Sequence, residues 1–387
     1  MRRILAILLL LALSTQALAA IKRADPAYLA TIEDDDPLRL PRNLAPQEIN
    51  LPPNRVPDQP FAAPTGPVRA QAEYEASQGI LIRWGSYNAL QTEMVVPLTT
   101  ATPPSDVWVV VSGSSQQGSA SGVLSAAGAD MEHVHFVVAS TDSVWMRDYG
   151  PRFINDSGRR AIVDHTYNRP RPNDNLFPSN YGAQIGEPVY ALPLIHGGGN
   201  FHLFGNRDAW MTRLVVNENP GLSEQQITNY FAAYEGLAVT LTDPFPSSYD
   251  STQHIDMWML PLEDHKVIIG EYAAGEGGGV PKTVTDATTA QMQTLGYTVL
   301  RTPGWQSGGT HYTYTNSVVV NQVVLICRFN GQDARNAAAL ATYQSALPGH
   351  DIVAVDCSSI ITQAGAIHCI VMHVPDLLFR DEFDPAG

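Results

Sequence analysis

Charge, cysteine and basic residues are all scarce in this 387-residue chain. Charged residues make up 16% against 44% hydrophobic. That balance supplies ample material for a core and excludes a disordered acidic tail. Lys and Arg number 23 against 38 Asp and Glu, for a net charge of −15 and a pI near 5.0. Without a basic excess to neutralise phosphates, nucleic acid is not an expected partner. With three cysteines, at least one thiol is left over from any pairing within the chain. No HExxH or CxxC motif occurs, and no G-x-S-x-G elbow, which argues against a catalytic zinc and a serine hydrolase. His133, His135, His196 and His202 could pair across strands, but no carboxylate or thiol completes a set. After the first 20 residues no run is long and apolar enough to span a bilayer.

The ends differ from the middle. Arg2 and Arg3 precede the apolar run 4–13, and Ala17-Leu18-Ala19 offers small residues for cleavage, the order of a secretory signal. Residues 1–20 are therefore expected to be removed, and the mature protein to be secreted or periplasmic, with no membrane attachment. Residues 21–66 hold nine of the 28 prolines and the acidic run Glu33 to Asp36. They show no hydrophobic period, so a Pro-rich acidic propeptide or linker is expected. The acidic run lacks the alternating ligand spacing of a calcium loop and reads as solvated.

From residue 67 to 375 one pattern recurs. A helical stretch ends in Gly, and a run of β-branched or aromatic residues follows. The glycines are Gly128, Gly182, Gly236, Gly296 and Gly349, read as helix C′ positions. Two helices stand out, 223–235 with Ser223 at its start and 333–347 with Asp333 as the expected N-cap. Hairpin-like segments, 256–272 and 316–329, lie between. Five such strand–strand–helix–strand units predict an α/β fold, a closed five-bladed pseudo-symmetric propeller of ββαβ modules. Residues 376–387 form a tail.

Counted from each glycine, Asp148, Gly197, His254, Asn316 and Cys369 fall 15 to 20 residues on. In a radial array one phase of every module points to one end of the axis, so these residues are expected to converge. Each is weak alone. Asp256, two residues after His254, would share its face in a strand. Cys369 on its own reads as a buried small hydrophobe, Arg147 as a structural ion-pair partner, and the glycines 197–199 as a tight turn near the axis, since no Lys-Ser/Thr follows for a phosphate loop. Together, a thiol, a His, an amide and two carboxylates suit a guanidinium: carboxylates bind its planar donors bidentately and present its central carbon to a thiolate.

At residues 66–85, 142–153 (DSVWMRDYGPRF), 167–175 (YNRPRPNDN), 197–201 (GGGNF), 254–258 (HIDMW), 314–321 (YTNSVVVN) and 366–369 (AIHC), in this order, the sequence resembles the Porphyromonas-type peptidylarginine deiminases. These share the guanidino-modifying fold with agmatine and arginine deiminases. The resemblance implies a five-bladed α/β propeller and hydrolysis of arginine to citrulline and ammonia, without cofactor or calcium. It implies Cys369 as nucleophile, His254 as acid/base, Asp148 and Asp256 as guanidinium-binding carboxylates, and Asn316 as the active-site amide. Arg169 and Arg171 would hold the free carboxylate of a C-terminal arginine, and Trp145 would contact substrate. Peptides or proteins with an accessible C-terminal arginine are the expected partners. Tyr249 departs from the family spacing. A small guanidino compound, agmatine or free arginine, is the second reading, and a catalytically silent binding propeller the third. Cys327 and Cys357 are a candidate disulfide, buried free thiols being the alternative.

Overall fold

The structure, a computed structural model, describes residues 21–36, 39–56 and 62–376. The expected signal sequence at 1–20 and most of the expected tail at 376–387 lie outside these residues. No described helix is long and apolar enough to cross a membrane.

Among the described residues five sheets follow one plan: an antiparallel pair, then a helix, then a strand parallel to the second of the pair. Parallel neighbours need such a crossover, because a tight turn only joins antiparallel strands. In the second sheet Arg152–Asp156 and Arg159–Tyr167 pair, helix Pro172–Ile185 crosses over, and Val189–His196 returns. Glu224–Glu235, Val280–Thr294 and Asp333–Ala346 do the same for the next three sheets. In the remaining sheet the antiparallel partner of Ser77–Arg83 is the last strand, Val371–Pro375. Helix Asn88–Thr99 then leads to the parallel strand Asp106–Val111. This is the build of a five-bladed α/β propeller, as the repeat predicts.

Local chemistry sets the elements. Glu224–Glu235 begins at a capping box, Ser223 against Gln226, and ends at Gly236 with φ 71°. Between them Ile227, Phe231 and Tyr234 are buried at helical spacing. Burying the Phe231 side chain is worth about 2–3 kcal/mol, and Phe231→Ala would cost about 3–5 kcal/mol. Three of the five expected glycine stops hold: Gly128, Gly236 and Gly296 adopt positive φ at helix ends. The other two are corrected. Gly182 lies inside its helix, which stops at Gly186 instead. A Cβ at 182 would meet the Val189 side chain at 2.4 Å, so this glycine serves close helix–strand packing. Gly349 lies beyond a helix that already ends at Ala346. The N-cap of that helix is Gln332, one residue before the expected Asp333.

Cys327 and Cys357 are joined, 30 residues apart. By restricting the unfolded chain, a loop of this size adds about 3–4 kcal/mol. Cys369 is thereby the free thiol.

The leading residues are docked on the domain, and the reading of the acidic run as solvated is corrected. Asp34 accepts from the Asn88 amide, Asp35 from the Trp84 indole at 2.9 Å, and Asp36 pairs with Arg83 at 2.9 Å. Further on, Asn54 donates to the carbonyls of Tyr167 and Arg169.

Candidate active site

Short turns following strands of different sheets meet in one buried cage: Met146–Tyr149, Gly198–Asn200, Ile255–Met257 and His368–Ile370. Asp148, His254, Asp256, Asn316 and Cys369 are all buried there. The expected convergence holds, but the local reason given for His254 and Asp256 does not. They lie in a 3-10 turn, His254 as its N-cap, and not along a strand.

A guanidinium fills the cage, and it belongs to Arg42. Asp148 receives Nε at 2.9 Å and Nη2 at 2.8 Å. Asp256 receives Nη1 at 3.0 Å and Nη2 at 2.9 Å. His254 Nδ1 lies 2.8 Å from Nη2. Two bidentate carboxylates are the strongest arrangement a guanidinium can find. Burial opposes the Arg42 charge, but Asp148 and Asp256 outweigh it and hold its pKa well above the ordinary arginine value. Burial likewise opposes the charge on Asp148, yet Arg42 and His254 keep it well below the usual carboxylate range; Asp256 is held down in the same way by Arg42 and His368.

The glycines fit the cage by close approach. A Cβ on Gly199 would fall 1.7 Å from Arg42 Nη2, and its amide donates to Asp148 Oδ1 at 3.1 Å. A Cβ on Gly197 would fall 2.8 Å from the His254 ring. Gly365 opens the passage for the aliphatic arm: a Cβ there would meet the Trp145 ring at 2.6 Å, Arg42 Cδ at 2.9 Å and Cys369 Sγ at 3.0 Å.

Cys369 Sγ accepts from Asn316 Nδ2 at 3.1 Å and from the Ala366 amide at 3.4 Å, and sits 3.5 Å from Asp256 Oδ2. Burial pushes the thiol well above its ordinary value; the Arg42 charge pulls it down, while Asp256 and Asp148 push it up. A cation in the cage thus works toward the thiolate, against burial and the two carboxylates. Burial and the Arg42 charge keep His254 below the usual histidine value, so the ring is neutral at pH 7.

Behind Asp256 a second set of charges supports the cage. His368 bridges Asp256 Oδ2 at 3.0 Å to Glu73 at 2.9 Å, and Glu73 pairs with Arg147 at 2.9 Å. Arg147 is the ion-pair partner that was expected. Glu73, His202 and His368 approach metal-ligand range of one another, but Arg147 already supplies the countercharge to Glu73. His133 and His135 both face Asp106, away from this set.

The chain's residues 69–375 match the family model described as Porphyromonas-type peptidyl-arginine deiminase. The chain belongs to this family. A putative agmatine deiminase of Streptomyces avermitilis is 26% identical over 266 residues, 60% of this chain and 75% of the relative. One from Legionella pneumophila (strain Philadelphia 1) is 25% identical over 265 residues, 63% and 75% of the two chains. Among solved structures, a putative arginine deiminase from Porphyromonas gingivalis superposes with a TM-score of 0.69 at 18% identity, covering 80% of this chain and 99% of that one. A substituted C. jejuni agmatine deiminase with substrate bound gives 0.68 at 17% identity, covering 82% and 99%. The deiminase acts on a C–N bond of a guanidino group and is a hydrolase.

The remaining expected residues surround the main chain of Arg42. Arg169 Nε donates to the Arg42 carbonyl at 3.1 Å. Arg171 Nη2 donates to the Pro41 carbonyl at 2.7 Å, and its guanidinium pairs bidentately with Glu48 at 2.7 and 3.0 Å. The Trp145 indole donates to the Leu40 carbonyl at 2.9 Å. Tyr249 lines a neighbouring cavity of about 260 Å³ with Asn43, Asp250 and His311, its hydroxyl donating to Glu276 at 2.9 Å. The sequence reading missed Arg42, Glu73, Gly365 and the bridging role of His368, while Gly199 falls in the turn near the axis that was expected. Glu73 lay within the family stretch 66–85 and His368 beside Cys369; Arg42 carried no signal.

Proposed function

We propose that the deiminase converts arginine held through its main chain, in peptides or free, to citrulline and ammonia. The observation that carries this is the Arg169 contact to the Arg42 carbonyl: an arginine with its backbone attached fits the cage, and a cationic side chain meets its carbonyl oxygen. A terminal carboxylate at that point would meet Arg169 with Arg171 next to it, whereas agmatine presents no carboxylate to either.

The chemistry follows from the geometry. Asp148 and Asp256 fix the guanidinium and keep it charged, hence electrophilic at Cζ. The Cys369 proton is relayed to His254 by solvent, since the contacts of Sγ are Asp256, Asn316 and the Ala366 amide. The thiolate, held by Asn316 and the Ala366 amide, attacks Cζ. His254 lies against Nη2 and returns a proton to that nitrogen, which leaves as ammonia when the Cζ–Nη2 bond breaks. A covalent thiouronium remains. His254 then takes a proton from water and the hydroxide adds to Cζ. As the C–S bond breaks the hydroxyl proton goes to the leaving sulfur, giving the ureido product and free Cys369, and His254 sheds its proton to the released ammonia.

The named curated relatives favour a second reading, a small guanidino compound such as agmatine. Rates on agmatine, free arginine and a dipeptide ending in arginine decide between them. A higher kcat/KM for the dipeptide, lost in Arg169→Ala while agmatine turnover is kept, is the expected result; faster agmatine turnover unaffected by Arg169 would give the site to the small substrate.

A further inference from the structure

The cage holds one guanidinium, and the chain's own Arg42 occupies it. Any external substrate must therefore enter a site that is already filled. The occupant is held along its whole length: the carbonyls of Leu40, Pro41, Arg42 and Asn43 accept from Trp145, Arg171, Arg169 and Arg171, and the Arg42 amide donates to the Gln363 carbonyl at 2.9 Å. Glu48 spends Arg171 in a bidentate pair, and Asn54 ties the segment to the Tyr167 and Arg169 carbonyls. Arg169 and Arg171, suited to hold an incoming substrate, are thus engaged by this segment.

A buried arginine that merely completes a fold would not need this setting. Arg42 lies on a leading segment outside the five sheets, yet it reaches the two carboxylates, the histidine and the thiol that act on a guanidinium. We propose that the segment 40–54 is a pseudosubstrate latch, an inhibitor in cis that fills the guanidinium cage and must be withdrawn or cleaved away before external substrate is turned over. This rests on the deiminase reading of the cage. A ligand tethered by a short chain competes at an effective concentration of about millimolar. Apparent substrate affinity then falls by the fraction of molecules whose cage is open. The latch gives the enzyme an off state built from its substrate's chemistry.

The test uses the mature full-length chain and two readouts. Cys369 is the free thiol, so iodoacetamide labels it without ambiguity. In Arg42→Ala the labelling rate should rise roughly tenfold or more, the opened cage outweighing loss of the Arg42 charge that favours the thiolate, and kcat/KM for an arginine-terminated dipeptide should rise similarly through KM, as expected when the competing state is removed. The dipeptide should protect Cys369 and raise Tm in Arg42→Ala and do neither in the parent. Glu48→Gln, which keeps Arg42 but weakens the anchor, should move every readout the same way by less, and stands in should Arg42→Ala fold poorly. Equal labelling and equal KM in parent and variants would overturn the latch. So would citrulline at position 42 of the parent, seen as a shift of about 1 Da, because the segment would then be a substrate. Faster labelling of Arg42→Ala with no turnover of any guanidino compound would keep the latch and remove the deiminase reading.

Discussion

Arg42 and Arg152 are both buried cations, and they are treated in opposite ways. Arg42 has four carboxylate hydrogen bonds and a pKa raised by them. Arg152 has one carboxylate, Glu235 at 2.7 Å, at angles that leave its three nitrogens without a directed hydrogen bond. It lies over the Phe201 ring at 4.6 Å, and burial lowers its pKa despite Glu235. Arg152 shows what a scaffold does with a cation it tolerates. Arg42 shows a site shaped around a guanidinium, down to glycines that leave room for its nitrogens.

Four outcomes test that contrast, the largest first. Asp256→Asn should lower turnover of every guanidino substrate by about 10³-fold, because it removes charge aimed at the reacting group. Glu235→Gln should stay close to the parent, and a comparable loss there would erase the distinction. In urea denaturation, Asp148→Ala should cost about 3–5 kcal/mol, since it breaks a buried pair from one side, and Asp148→Ala with Arg42→Ala should recover part of that. Replacing both Arg152 and Glu235 by Met and Leu should be neutral or stabilising by about 1–4 kcal/mol, because the poorly bonded pair does not repay its desolvation.

The smallest effect is in pH. Burial raises the Glu235 pKa, against Arg152. Its folded form holds the proton more tightly, so stability falls as pH rises above the unfolded value near 4.5. Asp148 is depressed, so its contribution is complete above about 3.8 and lost as pH falls toward its folded value. Stability against pH should therefore have a shallower acid limb in Asp148→Asn and a shallower decline above about pH 4.5 in Glu235→Gln, Asp256 and Glu73 keeping part of the first and Asp174 and Glu218 part of the second. Identical slopes in the two variants would contradict the assignment.

Much of this is legible in the sequence. The β-branched runs became strands, Ser223 capped its helix, and one phase of the repeat brought Asp148, His254, Asn316 and Cys369 together. These features are written locally or periodically. Gly182 misled because glycine marks a close approach as readily as a helix end, and only the Val189 methyl group, seven residues away, tells them apart. Arg42 was hidden in a proline-rich stretch with no period, and its partners lie 106 and 214 residues away. Nothing local to residue 42 announces a contact of that range. The charge excess also acquires a particular meaning: two of the carboxylates are matched by one arginine of the leader.

The last strand, Val371–Pro375, completes the sheet begun by Ser77–Arg83, and Cys369 sits just ahead of it. The strand beside the thiol therefore finds its partner only when the ring of sheets closes. A chain cut ahead of Cys369 would lack nucleophile and closing strand together. One short stretch of chain thus carries both the nucleophile and the strand that closes the ring.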